Sequence, residues 1–242
     1  MAGLKRSNDR KVANLPTPNG KRSAIANTFG LPSGKSYSCP NATSICEKIC
    51  YAGKLERIFP SVRDTLLHNW NTIKDADYDT MVSLLDDMIT AFELECKAKN
   101  AEPMFRIHWD GDFFSDTYAY AWRRVIELHN HKTQFWVYTR VPSAARILAG
   151  LYNLSLYFST DDENKSDAVY LRKQTDKIKI AYLSETFADA KDTMLSMTGK
   201  VGAKCPENLG SIPLITTEGS ACATCRLCID GKADVRFAIA KK

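Results

Sequence analysis

The alternation of strands and helices between residues 105 and 183 constrains the fold of this chain most strongly. Apolar stretches at 105–109, 134–139, 154–160 and 177–183 have the length and composition of strands. Amphipathic patterns at 115–129, 142–151 and 166–175 separate them, as helices would. Strands joined by helices pair in parallel through right-handed crossovers. The pattern predicts the α/β class, as a complete or partial (β/α) TIM-barrel-like domain, with a doubly wound open sheet as the alternative.

The length and composition indicate one sizeable domain. The 242 residues are 44% hydrophobic and 25% charged, as in a soluble globular protein. We predict one domain over 24–242, of which 190–242 is a cysteine-rich C-terminal segment without the strand–helix alternation. Residues 1–23 are predicted to form a flexible N-terminal arm that concentrates basic charge in Lys5, Arg6, Arg10, Lys11, Lys21 and Arg22.

Two absences in the sequence predict a cytoplasmic protein without membrane contact. No apolar run approaches the roughly 20 residues that span a bilayer, and the N-terminus lacks the apolar core of a signal peptide. The long helix predicted from Tyr78 has one apolar face that ends at Cys96. We therefore expect Cys96 to be a core residue, since a buried free cysteine packs like a small hydrophobic side chain.

Eight cysteines in a cytoplasmic chain indicate metal or redox chemistry rather than structural disulfides. Cys222, Cys225 and Cys228 form C-x2-C-x2-C, the run by which bacterial ferredoxins supply three ligands of an iron–sulfur cluster. Cys205, followed by Pro206, is the candidate fourth ligand. Zinc sites usually pair two hooks across a longer spacer, so this spacing favours iron–sulfur over zinc.

A second cysteine group, C-x6-C-x3-C, is formed by Cys39, Cys46 and Cys50 near the other end of the chain. Three thiolates would leave one iron of a cubane without a protein ligand. Alternatively, these cysteines share a single cluster with the C-terminal group. The predicted metal ligands are Cys39, Cys46, Cys50, Cys205, Cys222, Cys225 and Cys228, and the sequence leaves one cluster or two as open alternatives.

Polar side chains follow the predicted strands at their carboxyl ends, where active sites form in parallel α/β folds. The predicted cofactor-binding residues are His108, Asp110, Asp112, Arg140, Thr160 and Glu163. Helix capping is the alternative role for the acidic residues after the third strand. For His108 the alternative is a hydrogen-bonded core position.

These motifs resemble the gene product 88 family of phage proteins. The resemblance spans about residues 24 to 230 and depends on several short segments together: Thr28-Phe-Gly-Leu-Pro32, Ser38-Cys-Pro-x-Ala-Thr43, Cys46-x3-Cys-Tyr-Ala52, Arg106-Ile-His-x2-Gly-Asp-Phe-Phe-Ser115, Phe135-x2-Tyr-Thr139 and the C-terminal cysteines. It implies a phage origin, and hence the cytoplasm of an infected bacterial cell, together with an iron–sulfur-type cysteine set.

A fainter likeness is to radical S-adenosylmethionine enzymes, which place a three-cysteine loop after an early strand and a Gly-containing acidic motif after the next. Here Cys46, Cys50, Tyr51 and Ala52 would correspond to the loop, and Gly111 and Asp112 to the acidic motif. Those enzymes use C-x3-C-x2-C, from which the C-x6-C-x3-C of this chain departs. The likeness implies S-adenosylmethionine as a second cofactor.

The leading prediction is a phage-encoded protein that binds one or two [4Fe–4S] clusters, with a redox or electron-transfer role and a redox partner from phage or host. Whether it catalyses a reaction is left open by the sequence. A radical S-adenosylmethionine-like enzyme is one alternative. A zinc-stapled nucleic-acid-binding protein that uses the basic arm is another, ranked last because no base-reading motif is present.

Overall fold

The structure is a computed structural model that describes residues 3–19 and 22–239. Within these ranges the strands are β1 (Asn14–Pro16), β2 (Arg22–Ala24), β3 (Thr28–Gly30), β4 (Met104–Asp110), β5 (Gln134–Thr139), β6 (Leu154–Thr160), β7 (Lys179–Ser184), β8 (Ala203–Lys204) and β9 (Val235–Ala238). The helices are α1 (Ser44–Ile49), α2 (Tyr51–Ile58), α3 (Pro60–Ile73), α4 (Tyr78–Ala98), α5 (Asp116–Leu128), α6 (Pro142–Leu148), α7 (Lys165–Gln174), α8 (Asp189–Thr198), α9 (Pro206–Leu209) and α10 (Ala221–Cys225).

Seven strands form one parallel sheet in the order β3-β4-β5-β6-β7-β9-β8, and β1 and β2 form a separate antiparallel hairpin. The predicted α/β class is confirmed. Among the described residues β3 and β8 are the edges of the sheet and do not pair with each other, so a complete barrel is not formed. These edge strands have three and two residues, which offer few backbone groups for closure.

The strand order also differs from that of a doubly wound sheet. From β3 to β7 each strand is added at the same edge, without the reversal that defines a switch point. Right-handed crossovers in one direction place the connecting helices on one face of the sheet. On that face Phe105 packs edge-on against Phe92 of α4, with ring centroids 5.1 Å apart, and against Phe135 at 6.2 Å. The other face carries Tyr157, whose hydroxyl donates to the backbone oxygen of Ala233 at 3.0 Å, so the C-terminal segment covers part of this face.

The helix predicted from Tyr78 is confirmed as α4. Its N-cap is Asp77, whose carboxylate accepts a hydrogen bond of 2.8 Å from the backbone N–H of Thr80. Cys96 is buried on its apolar face, in the main core, as predicted. Helix α3 begins at Pro60, which suits the first helical position because proline has no N–H to satisfy there, and Phe59 is its N-cap residue.

The C-terminal segment contributes β8 and β9 to the sheet, although its sequence lacks the strand–helix alternation. Strand β9 lies between β7 and β8, and Val235 and Ala238 are buried. A four-residue strand with few preceding signals is too short to stand out by periodicity. Only its pairing with β7 defines it.

The predicted flexible arm is packed onto the domain wherever the structure describes it. Val12 and Leu15 are buried in the main core, and Arg6 and Lys11 form ion pairs of 2.8 Å with Glu95 and Glu207. Burial of these apolar side chains explains why the segment is held, and the ion pairs occupy charges that a nucleic-acid arm would present. Lys21 lies outside the described residues.

The helical face contains a buried histidine between two carboxylates. His129 of the α5 C-terminus lies 2.8 Å from Glu93 through Nδ1 and 2.9 Å from Asp86 through Nε2, and it is 4% exposed. The side chain of Thr133 donates a further hydrogen bond of 2.7 Å to Glu93. These contacts join α4 to α5.

We expect His129→Ala to destabilise the protein by about 2 kcal/mol, because it leaves the nearly buried Glu93 without its imidazole partner. Urea denaturation followed by circular dichroism measures this. The matched control is His131→Ala, an exposed position where we expect a change within about 0.5 kcal/mol. Equal effects of the two substitutions would show that the contacts of His129 with Glu93 and Asp86 contribute nothing to stability.

No helix in residues 3–19 and 22–239 has both the length and the apolar character needed to cross a membrane.

Candidate functional site

A cavity of about 680 Å³ lies on the face of the sheet opposite the crossover helices. Its walls include Trp136, Tyr138 and Phe237 from the sheet. All seven cysteines predicted as ligands line it as well: Cys39, Cys46, Cys50, Cys205, Cys222, Cys225 and Cys228. The volume falls in the range of small-molecule and cofactor sites, about 300–1,000 Å³. The tertiary structure thus brings the two cysteine groups, which are far apart in sequence, around one space.

The N-terminal cysteines lie on a loop that follows β3, so they reach the carboxyl ends of the parallel strands. Thr43 caps α1 by accepting a hydrogen bond of 3.2 Å from the backbone N–H of Cys46. Cys50 caps α2, and its Sγ accepts a hydrogen bond of 3.3 Å from the N–H of Gly53. A helix N-terminus stabilises a thiolate, so α2 offers Cys50 a favourable setting for ligation.

A buried ion pair attaches this loop to the strand ends. Arg140 Nη1 donates to Asp161 Oδ2 at 2.8 Å, and the hydroxyl of Thr43 donates to the same oxygen at 2.6 Å. Both charged side chains are more than nine-tenths buried, with exposed fractions of 8% and 1%. The pair therefore positions the cap of the Cys46 helix.

Two of the predicted cofactor-binding residues act as supports and are absent from the cavity wall. Glu163 accepts hydrogen bonds from the backbone N–H of Ser44 at 3.1 Å and from its hydroxyl, which satisfies the first turn of α1. Thr160 is buried and donates to Asn164 at 3.0 Å. Both residues lie near the cavity. The contacts of Glu163 hold the start of the helix that carries Cys46, and those of Thr160 hold the end of β6.

Asp112 lines the cavity, and its oxygens are already engaged. It accepts hydrogen bonds from the Thr139 hydroxyl at 2.6 Å, the Arg140 N–H at 2.7 Å and the Phe113 N–H at 2.8 Å. Burial raises the pKa of Asp112 to about 6, against the lowering effect of these donors. Its contacts tie the end of β4 to the end of β5.

Regular alternation along β4 fails at His108, whose φ of 57° lies in the left-handed region. The irregularity turns the ring toward α5, where Nε2 lies 2.9 Å from the Tyr118 hydroxyl and the ring packs edge-on against Phe113. Burial, together with the nearby Arg106 charge, lowers the pKa of His108 to about 3, so the ring is neutral. A backbone held in this conformation is typical of functional sites.

The C-terminal cysteines and Cys205 form one group. Burial raises the pKa of Cys222 to about 12, where nearby Arg106 opposes and the neighbouring Cys228 and Cys205 thiolates reinforce the shift. Burial likewise raises the pKa of Cys228 to about 12, lowered by Tyr138 and raised by Cys205 and Cys225. Cys205 and Cys228 pack against the same buried cluster of Tyr157, Ala181 and Val235, and all four thiols line the same cavity.

Burial is the main influence on the pKa of each N-terminal cysteine. Burial raises the pKa of Cys46, the Arg140 guanidinium lowers it, and the Cys50 thiolate raises it. Burial also raises the pKa of Cys39, followed by Asp112. A buried thiol with a raised pKa stays protonated unless a cation compensates the thiolate. Within the described residues, no three His, Cys, Asp or Glu side chains are arranged closely enough to hold a single metal ion.

Unpartnered polar atoms concentrate on β4 beside the cysteines. Among the described residues, seven buried side-chain N or O atoms have no hydrogen-bond partner. Four of them belong to β4 residues that line the cavity: Arg106 Nε, His108 Nδ1, Trp109 Nε1 and Asp110 Oδ2. Buried polar atoms are normally paired, so Arg106 Nε and Asp110 Oδ2 are groups that a ligand in the cavity could satisfy, whereas the His108 ring is turned toward α5 and Trp109 Nε1 lies beside Gly30.

Arg106 and Tyr138 are site residues that our sequence prediction missed. Arg106 forms an ion pair of 2.8 Å with Asp9, and its guanidinium lies 5.7 Å from the ring centre of Tyr138. Both residues alternate with core positions in strands that read as apolar. Their polar groups at alternate positions were the available signal, but an alternation cannot tell which face binds a ligand.

The charge of Asp110 should make stability depend on pH. Burial raises its pKa to about 9, and the nearby Glu56 carboxylate adds to the shift. In the unfolded chain an Asp has a pKa of about 3.9. The protonated Asp110 carboxyl therefore contributes its full share to the stability of the folded protein below about pH 4, and this contribution is lost as pH rises toward 9.

We expect Asp110→Asn to be more stable than the parent protein at pH 8.5 by at least about 1 kcal/mol, and the difference to shrink at pH 5. Urea denaturation of the metal-free protein at both pH values tests this. Asp75→Asn is the control, because Asp75 is exposed and should show no such trend. A constant difference between pH 5 and 8.5 would contradict the assignment.

Comparison with known proteins identifies the family of this chain. The family model described as "Gene product 88" matches residues 2–231. The chain is 49% identical over 247 residues to the "Gene 88 protein" of Mycobacterium phage L5, and 49% identical over 248 residues to that of Mycobacterium phage D29. Each comparison covers 100% of both chains. No solved structure matches the chain. The resemblance noted from the motifs is thereby confirmed, and the chain belongs to the gene product 88 family, whose relatives compared above are phage proteins.

Proposed function

We propose that this protein binds iron–sulfur clusters and uses them in one-electron redox chemistry. The observation that carries the proposal is the convergence of seven cysteines, from both ends of the chain, on one cavity. Cluster iron compensates thiolates that burial alone would keep protonated. Apolar and aromatic walls at Trp136, Tyr138 and Phe237 would shield a cluster from water, which influences its potential.

Cys39, Cys46 and Cys50 lie on the segment after β3 and the other four cysteines on the C-terminal segment, and this division favours two clusters over one. Cys205, Cys222, Cys225 and Cys228 would supply four ligands to one [4Fe–4S] centre, the number that ferredoxins use. Cys39, Cys46 and Cys50 would hold a second centre through three of its irons. The fourth iron would then be open to a ligand in the cavity.

A second candidate, a radical S-adenosylmethionine-like enzyme, is favoured by the unpartnered polar atoms of β4. Arg106 Nε can donate, and Asp110 Oδ2 can accept or, when protonated, donate. Together they could orient a polar cofactor against an open iron. Adding S-adenosylmethionine to the reduced protein should then change the electron paramagnetic resonance spectrum, and Asp110→Ala should weaken the change. A spectrum that does not respond would leave electron transfer as the function.

Anaerobic reconstitution of the full chain with iron and sulfide tests the main proposal. We expect brown protein with broad absorption near ~400 nm and equal amounts of iron and acid-labile sulfide. Cys96→Ala should bind as much iron as the parent protein, because Cys96 lies in the helical core rather than at the cavity. Stoichiometric zinc without iron or sulfide would reject the proposal and support a zinc-stapled protein.

A further inference from the structure

A basic surface lies directly outside the N-terminal cysteine group. We use this name for the exposed side chains of Lys54 and Arg57 on α2 and of Arg63 on α3, with the two apolar residues between them, Ile58 and Phe59. Ile58 is 64% and Phe59 48% exposed. The three cations therefore surround an apolar centre, which is the composition of a protein-binding surface rather than of a merely solvated helix.

The positive charge of this surface is poorly neutralised within the chain. Lys54 and Arg57 have no side-chain hydrogen bond or ion pair with any residue in the described ranges. Arg63 has only its sequence neighbour Asp64, at 3.8 Å and with both side chains more than half exposed. The carboxylate of Glu56 accepts hydrogen bonds from the backbone N–H and hydroxyl of Ser33, and these neutral donors do not cancel its charge. Three cations against the two carboxylates of Glu56 and Asp64 leave the surface with a net positive charge.

A groove of about 390 Å³ connects this surface with the cysteines. Arg57 and Arg63 line it together with Glu56 and Tyr37, and Ser33 and Gly53 also contribute to its wall. Ser33 lines the cysteine cavity too, and the N–H of Gly53 is bonded to Cys50 Sγ. One layer of residues thus separates the groove from a predicted cluster ligand.

We propose that the basic surface docks an acidic protein that carries one electron and passes it to the centre held by Cys39, Cys46 and Cys50. This inference rests on the proposed iron–sulfur function and adds the kind of partner. Carboxylates of the partner complement the three cations and speed the encounter, and an apolar patch on it covers Ile58 and Phe59. The partner loses one electron and the cluster gains one, and no bond or proton changes place.

Stopped-flow reduction of the reconstituted protein tests the docking. The probe is a reduced, acidic plant-type [2Fe–2S] ferredoxin at low ionic strength, and dithionite serves as a small reductant that needs no docking surface. We expect Arg57→Glu with Arg63→Glu to slow reduction by ferredoxin about tenfold or more, to flatten its dependence on salt, and to leave reduction by dithionite unchanged. If the double reversal impairs folding, the milder variant Arg57→Gln with Arg63→Gln takes its place. We expect this variant to slow reduction by ferredoxin less than the double reversal would.

The matched control reverses two exposed lysines on helices at the other end of the sheet, Lys173→Glu with Lys191→Glu. The total change in charge is the same, so equal slowing in both variants would assign the effect to net charge and overturn the docking site. Unchanged rates, or specific inhibition by inorganic phosphate at matched ionic strength, would also overturn it. Absence of iron from the parent protein would instead reject the proposed function itself, and metal analysis distinguishes the two failures.

Discussion

Replacement of Cys222 and Cys225 by alanine is expected to remove one whole cluster while leaving the other. Bound iron should fall from about eight to about four atoms per chain, as two four-iron cubanes with separate ligands require. The physical reason is that two of four thiolates cannot hold a cubane against loss to solvent. Cys46→Ala with Cys50→Ala should remove the complementary half.

Iron and sulfide analysis, with electron paramagnetic resonance of the reduced protein, measures both losses. The signals that survive in the two double variants should differ, and their sum should reproduce the parent spectrum if the centres do not couple magnetically. Cys96→Ala is the control for cysteine loss. If each double variant loses all of the iron, and both lose the same single signal, the two cysteine groups share one cluster and the two-centre arrangement is wrong.

Removal of Asp161 is expected to be the most damaging single substitution at the strand ends. Asp161→Ala leaves the Arg140 guanidinium buried without its carboxylate and takes away the acceptor of the Thr43 hydroxyl. Breaking a buried pair in this way costs about 3–5 kcal/mol. Because Thr43 caps the helix that carries Cys46, iron bound by the N-terminal group should also fall.

Urea denaturation and iron analysis of the same preparation check both effects. Asp162→Ala is the matched control, since this neighbouring carboxylate is exposed. The double variant Arg140→Met, Asp161→Leu should recover part of the stability, because it removes both charges rather than leaving one unpaired. If the double variant is as unstable as the sum of the two single ones, the pair is not coupled and the argument fails.

The main body of the fold was predictable because its signals are local. Strands β4, β5 and β6 and helix α4 are long enough for side-chain periodicity to identify them, and their alternation with helices implies parallel pairing. The cysteine spacing C-x2-C-x2-C likewise has chemical meaning within seven residues. Strands β8 and β9 were missed because two- and four-residue segments carry no such periodicity.

The roles of the individual polar residues were not predictable in the same way. Asp112 and Glu163 follow strands as expected, yet their oxygens are taken up by Thr139, Arg140 and Ser44. Arg106 and Tyr138 looked like ordinary strand residues, and they face the cavity. Which polar group is satisfied depends on partners 20 or more residues away along the chain, and a strand pattern contains no information on them.

The sequence by itself determined the α/β class, the family, the core position of Cys96 and the set of seven cysteines available for ligation. Those properties depend on residue type and short-range spacing, which can be read from the sequence without knowledge of long-range contacts. Only the tertiary structure decided that the sheet stays open, that the N-terminal segment packs on it, and that both cysteine groups face one cavity. Each of these depends on long-range pairing and burial, because residues distant in the chain must meet before their contacts can stabilise one arrangement over another.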